Sequence, residues 1–316
     1  MSIPYATIQK INTSFNKDFV KNPVGVFVGG TSGIGEHTAY EFAKLTVNPT
    51  IYIVGRSEES GARVQDKIKK LNSNATVHFL KHDLKYIEQA ERVANIIRNK
   101  EDKVNVLSLS QGSLLNQPRT ETSEGLDEKF ALLYYGRWTI VKMLVPLLQK
   151  AADQGGPARV LSVLSAGNER SVDFDDLELK KNYTFLHSNL TAASYNSLAV
   201  LRFARKYPNI SFCHTFPGFV RTQVFREFPL WQRFFVAGVA YLFAKSPEVC
   251  AEHQIYVALT GPEFATGGHL LGENLQSTQT DKPPYSEFAL EENQDKLWEH
   301  TEAMINRANE NDIIES

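Results

Sequence analysis

The stretch Val24 to Gly35, Val-Gly-Val-Phe-Val-Gly-Gly-Thr-Ser-Gly-Ile-Gly, constrains this chain more than any other. Val24, Val26, Phe27 and Val28 read as a short buried strand, Gly29, Gly33 and Gly35 as the turn after it, and Glu36 to Leu45 as a helix. Glycine suits such a turn because it takes backbone angles that other residues resist. It also lets backbone N–H groups come within contact distance of a diphosphate, an anion that then sits at the positive end of the helix. A second apolar strand, Thr50 to Val54, completes the context that an isolated glycine pattern lacks. The competing reading is a glycine-rich turn that holds no ligand.

Strand and helix signals alternate through most of the remaining chain, which argues an α/β fold: a doubly wound parallel sheet of about seven strands with helices on both faces. Further strands are predicted at Thr76 to Leu80, Val104 to Leu109, Ala158 to Leu164, Ile210 to Phe216 and His269 to Leu271. A long helix is expected from about Ser123 to Ala152, with Pro146 kinking or dividing it. Others follow at about Leu190 to Tyr207, Pro247 to Leu259 and Ser286 to Asn309. Neither repeats nor a linker of domain grade appear, so one domain over residues 1–316 is the simplest account, with an N-terminal extension (1–21) and a C-terminal helical extension (285–316).

Composition narrows the partners. A chain of 316 residues with 42% apolar and 22% charged residues can bury a substantial core, and a net charge of −2 gives no reason to expect nucleic acid. Two cysteines, Cys213 and Cys250, are no disulfide framework and point to a reducing, cytoplasmic setting. The N-terminus has no secretory signal pattern, and no Cys/His cluster has metal spacing. The longest apolar run, Leu230 to Ala244, is too short to span a bilayer. Three readings of it stand open: a helix covering a substrate, a helix lying in a membrane interface, or plain core.

The spacing Gly29-x-x-x-Gly33-x-Gly35 resembles the glycine signature of the short-chain dehydrogenase/reductase family, and the phrase Tyr134-Tyr135-Gly136-Arg137 resembles a fungal subgroup of it. The resemblance implies a Rossmann-like fold, a nicotinamide dinucleotide and cofactor contacts at Gly29, Thr31, Ser32, Gly33, Ile34 and Gly35. It further implies contacts at Asp83 and Leu84 beside the adenine, at Gly112 after the fourth strand, and at Pro217, Gly218, Val220 and Thr222 along the nicotinamide. About twenty residues after Gly35 the chain reads Gly55-Arg56-Ser57. A carboxylate there would accept from ribose hydroxyls; Arg56, with Ser57 as a second donor, favours a 2′-phosphate and so NADP(H). A solvated loop arginine is the alternative. Family members pair their long helices, so a homodimer or homotetramer is implied as well.

The family's chemistry rests on a serine, a tyrosine and a lysine four residues after it, with an asparagine in the preceding long helix. Ser165 fits the serine. In Ser194-Tyr195-Asn196-Ser197-Leu198-Ala199, aligned on Ser197, Ser194 takes the tyrosine slot and Leu198 the lysine slot, and the asparagine falls on Leu133. A cation about 4 Å from a tyrosine is worth roughly 4 kcal/mol at an effective dielectric near 20, about three pKa units, and this chain lacks it. Tyr195, one helix position along, and Arg137, one turn after Leu133, are the candidate substitutes, with packing as the alternative for both. His214 reads as a core strand residue. The function implied is an NADP(H)-dependent oxidoreductase on a small hydrophobic substrate with a non-standard catalytic set; a nucleotide-binding protein without turnover, or a redox-neutral isomerase or cyclase, competes.

Overall fold

Five consecutive buried residues, Val24–Val28, form β1 of a computed structural model that describes residues 2–17, 20–112, 117–221 and 244–315. A strand buried on both faces needs partners on both edges and layers above and below, and β1 has them. It pairs in parallel with β2 (Thr50–Gly55) on one side and β4 (Val106–Leu109) on the other. With β3 (Thr76–Lys81), β5 (Arg159–Val163), β6 (Ser211–Thr215) and β7 (Gly267–Leu271) the sheet has seven parallel strands in the order β3-β2-β1-β4-β5-β6-β7. The order reverses between β1 and β4, and in such sheets ligands bind outside the carboxyl ends of the strands at that point.

Alternate side chains of the strands feed two cores. Phe27, Ile51 and Ile53 pack with α2 (Gly33–Leu45), α3 (Glu58–Leu71) and α8 (Pro247–Ile255), with Ile8 of α1 (Tyr5–Ser14) sealed beneath. Val26, Val28 and Val54 pack with α4 (Ile87–Lys100), α6 (Gly136–Asp153) and α7 (Phe185–Lys206).

The long helix before β5 breaks elsewhere than predicted. It opens with a short turn, α5 (Glu128–Phe130), passes through a π-turn at Ala131–Tyr135 and continues as α6 straight through Pro146. Pro146 and Lys142 both lie on the exposed face, so water can take the Lys142 carbonyl that the proline leaves unbonded. At the π-turn, by contrast, the Leu133 carbonyl accepts from the Asn196 amide at 3.0 Å, a partner outside the helix.

One further element lies on the long helices. After α9 (Tyr285–Phe288), α10 (Glu291–Glu315) lies along them and buries Leu297, Trp298, Ile305 and Ala308 in the same core. Trp298 stands edge-on to Phe203 of α7, ring centroids 4.7 Å apart, and Lys142 of α6 pairs with Glu302 at 2.9 Å. Thr301 gives its proton to the Leu297 carbonyl, so Tyr134 donates to Thr301 Oγ1 at 2.7 Å; Tyr135 meets His300 Nε2 at 3.0 Å. α10 therefore occupies part of the helix faces on which a homodimer or homotetramer is expected. Among the described residues no helix is long and apolar enough to cross a membrane. Residues 230–243 of the apolar run lie outside the described residues.

Candidate active site

The chain turns out of β1 through Gly29 (φ 78°) and enters α2 at Gly33 (φ 58°), both in the left-handed region. A Cβ on Gly29 would stand 2.5 Å from the Gln111 backbone nitrogen, and one on Gly35 2.7 Å from the Gly29 carbonyl oxygen. The turn is therefore pressed against the end of β4. Ser32, the residue before α2, makes no side-chain cap, which leaves the first N–H groups of the helix to another acceptor. Glu36 in the first turn would repel a phosphate, but Arg63 neutralises it through bonds of 2.5 and 2.9 Å while also donating to the Thr31 carbonyl. Burial alone would raise the Glu36 carboxyl; Arg63 and Tyr40 outweigh it and hold it below the usual range.

Beside this turn, where the Gln111 backbone lies against Gly29, both polar atoms of the Gln111 amide are buried without a partner among the described residues. An orphaned buried amide costs roughly 1–3 kcal/mol, and a ligand in the crevice would relieve it. The uncapped helix start, the glycine cradle and this amide together fit a dinucleotide.

The other expected cofactor residues ring the same edge. Thr31 packs against Gly55 at the end of β2, with its Cγ2 2.6 Å from where a Gly55 Cβ would be. Arg56 is largely exposed and lies 3.9 Å from Asp83, which stands at the end of β3, and no carboxylate occupies the end of β2. The Ser57 hydroxyl caps α3 by accepting from the Ser60 N–H at 3.2 Å, a contact that leaves its proton to donate. The Leu84 carbonyl rests against Gly136, where a Cβ would be 2.6 Å away. Gly112 is exposed beside Leu133. Pro217 and Gly218 follow β6 with the Glu273 side chain packed on Gly218, and Val220 bridges to Lys245. Ile34 is half-buried behind the turn, and Thr222 lies outside the described residues.

The two candidate substitutes for the missing catalytic groups are placed elsewhere. One helix position is about 100° of rotation, and it turns Tyr195 away from Ser165. Tyr195 is fully buried against Phe130 and Tyr134 and donates to the Leu177 carbonyl at 2.9 Å; burial raises its pKa well above the usual tyrosine value. Arg137 is buried beneath the strand ends, where it donates to the carbonyls of Leu109 (3.2 Å), Val163 (3.0 Å) and Gln111 and to Ser162 Oγ (2.8 Å). Burial pulls its pKa down to about 9, which leaves it charged at neutral pH. It clamps β4 to β5 and shapes the loop ends. Leu198, in the lysine slot, is fully buried.

Ser165 does stand at the end of β5, with its hydroxyl accepting from Asn168 Nδ2 at 3.2 Å. Its backbone N–H donates to His214 Nε2 at 3.0 Å, which makes that nitrogen an acceptor and places the imidazole proton on Nδ1. His214 is neutral because burial, aided by the Arg137 charge, drives its pKa down to about 3. Nδ1 therefore donates to Ser197 Oγ at 2.8 Å, and Ser197 donates in turn to Glu169 Oε1 at 2.6 Å. Glu169 was not among the residues singled out from the sequence; an acidic residue four places after Ser165 was the only available signal.

A profile of short chain dehydrogenases matches residues 24–165. The chain is 30% identical over 331 residues to an oxidoreductase of Emericella nidulans, covering 96% of this chain and 98% of that protein. It is 26% identical over 280 residues to a polyprenol dehydrogenase of Homo sapiens, covering 87% and 82%. A 3-oxoacyl (acyl-carrier-protein) reductase from Agrobacterium tumefaciens C58, solved with NADP bound, shares the fold with a TM-score of 0.62 at 18% identity, covering 83% of this chain and 96% of that one. These likenesses define an oxidoreductase class built on a parallel-sheet fold of this kind. The chain belongs to the short-chain dehydrogenase family.

Proposed function

We propose that the protein is an NADP(H)-dependent oxidoreductase of the carbonyl reductase or alcohol dehydrogenase type, acting on an apolar small molecule without the family's tyrosine and lysine. The observation that carries the reading is the glycine cradle with the orphaned Gln111 amide beside it, at the same sheet edge as Ser165. The bound dinucleotide would supply or accept the hydride. Ser165 would polarise the carbonyl, since its described contact uses the oxygen as acceptor and leaves the hydroxyl proton to donate.

Arg56, exposed at the end of β2 with no carboxylate on that strand end, supports the phosphorylated cofactor. Leu133 and Leu198 put isobutyl groups where the family has an amide and an ammonium, which favours an apolar substrate, as does the polyprenol dehydrogenase relative. Cys213 and Cys250 are free, buried thiols, in keeping with a reducing compartment such as the cytoplasm. A second reading, dinucleotide binding without turnover, is favoured by the way Tyr195 and Arg137 are committed to the core.

Calorimetry with NADPH and NADH, followed by cofactor absorbance with a panel of aliphatic ketones, quinones and alcohols, tests both. The redox reading expects tighter NADPH binding and turnover of an apolar carbonyl. Binding with no turnover leaves the second reading, and absence of binding removes both.

A further inference from the structure

The loop after β5 takes over the place of the missing tyrosine. Ser194 Oγ accepts from the Arg170 N–H and donates to the Arg170 carbonyl, each at 2.8 Å, so a tyrosine ring at 194 would collide with that backbone. Drawn in this way, the loop brings the Glu169 side chain inward until it is only 9% exposed, with Oε1 on Ser197 Oγ and Oε2 on the Gly167 N–H at 2.7 Å. Ser197 is one turn beyond Ser194 on α7, and Glu169 is four residues beyond Ser165. The carboxyl thus bonds α7 one turn beyond the tyrosine slot and one residue before the lysine slot, and Ser197 links it through His214 to the Ser165 backbone.

We propose that Glu169 is the acid/base of this site and that Ser197 and His214 are its positioning residues. The assignment rests on the redox reading above and names the proton carrier that reading lacks. Reduction of a carbonyl carbon by two electrons leaves its oxygen needing one proton. The O–H bond of the Glu169 carboxyl breaks, the O–H bond of the alcohol forms, and the carboxylate that remains is held by Ser197 and Gly167 until water reprotonates it. In the oxidative direction the same carboxylate removes the alcohol proton.

The geometry suits both states. Each carboxyl oxygen accepts one bond and keeps a second lone pair, so protonation breaks neither contact. Burial pushes the Glu169 pKa up, and its bonds from Ser197 and backbone N–H groups offset this only in part. The titratable groups facing it are His214 from β6, neutral with Nδ1 3.9 Å away, and Tyr285 from α9, whose own pKa is raised by burial. Neither supplies a cation. Among the described residues this is a buried carboxylate without a countercharge, which is costly to keep for structure alone, and such groups cluster where chemistry is done.

The test uses full-length wild type, Glu169→Gln, Glu169→Asp and Ser197→Ala, with NADPH and phenanthrenequinone as the probe. Glu169→Gln should bind NADPH in calorimetry as wild type does, lose roughly 10²–10⁴-fold in kcat, and lose the decline in rate as pH rises through the carboxyl pKa. Glu169→Asp, which keeps the carboxyl but withdraws it, should retain that decline at a lower rate. Infrared titration of the protein without dinucleotide should show a carboxyl that holds its proton above the usual carboxylate range, absent in Glu169→Gln and moved further upward in Ser197→Ala. Glu169→Gln with the wild-type rate and pH profile overturns the assignment alone, as does an infrared titration showing no such carboxyl. NADPH binding by wild type with no quinone turnover overturns the redox reading and the assignment with it.

Discussion

Replacing Gly29 by alanine should separate backbone strain from crowding at the dinucleotide turn, provided Gly155 is replaced in parallel. Both glycines have left-handed backbones, at 78° and 73°. A Cβ on Gly155 would meet nothing within 4 Å, whereas one on Gly29 would lie 2.5 Å from Gln111 N and 2.8 Å from Gln111 Cα. The conformational cost to an L-residue is roughly 1–2 kcal/mol and applies to both. Overpacking adds roughly 1–3 kcal/mol at Gly29 alone, since backbone cannot swing aside as a flexible side chain would. The smaller entropy that alanine gives the unfolded chain is common to both and cancels in the comparison. Gly155→Ala should therefore lose about 1–2 kcal/mol and Gly29→Ala about 2–5 kcal/mol, out of a typical total of roughly 5–15 kcal/mol. The displaced turn should also weaken NADPH by at least about tenfold, or about 1.4 kcal/mol, while Gly155→Ala binds normally. Denaturant unfolding followed by circular dichroism gives the first pair of numbers and calorimetry the second. Equal losses of stability with unaltered affinity in Gly29→Ala would refute the cradle.

Three further outcomes are expected. Arg56→Ala should lower NADPH affinity by about tenfold and leave NADH affinity unchanged in calorimetry, the loss expected of a charge-assisted bond at a largely exposed site. His214 titrates near 3 in the folded chain against an ordinary 6.5, so below pH 6.5 the unfolded state binds the extra proton and stability falls as pH drops toward 3; from pH 6.5 to 5 the loss should be about 2 kcal/mol, and His214→Gln should flatten that part of the stability curve. Trp298→Ala should cost about 3–5 kcal/mol in denaturant unfolding by opening the contact with Phe203.

What could be read from the sequence follows from what is local. The alternation of apolar runs and glycine turns prescribes a parallel sheet, because the central strands are buried on both faces and each connection carries a helix. The β1 turn was legible for the same reason: Gly29 and Gly33 are needed at those positions whatever surrounds them. Side-chain direction was not. Tyr195 and Ser194 differ by one helix position, and only tertiary contacts send Tyr195 to Phe130, Tyr134 and Leu177 and Ser194 to the loop after β5. Arg137 was readable as one turn beyond Leu133, but its burial depends on the distance between the ends of β4 and β5, which no local pattern encodes. Glu169 sits in an irregular loop and acquires its place from the Ser194 bonds to Arg170 across 24 residues. The docking of α10 left a trace in Leu297, Trp298, Ile305 and Ala308, spaced for one helix face, within a stretch whose many charges obscured it.

The central claim is that a nicotinamide dinucleotide lies across the strand ends where the sheet order reverses. Hydrogen–deuterium exchange of the whole chain with and without NADPH tests it most directly. Slowed exchange concentrated in residues 29–36 and 109–112 is the predicted result. NADPH that leaves those segments unprotected, or protects only distant ones, would contradict it.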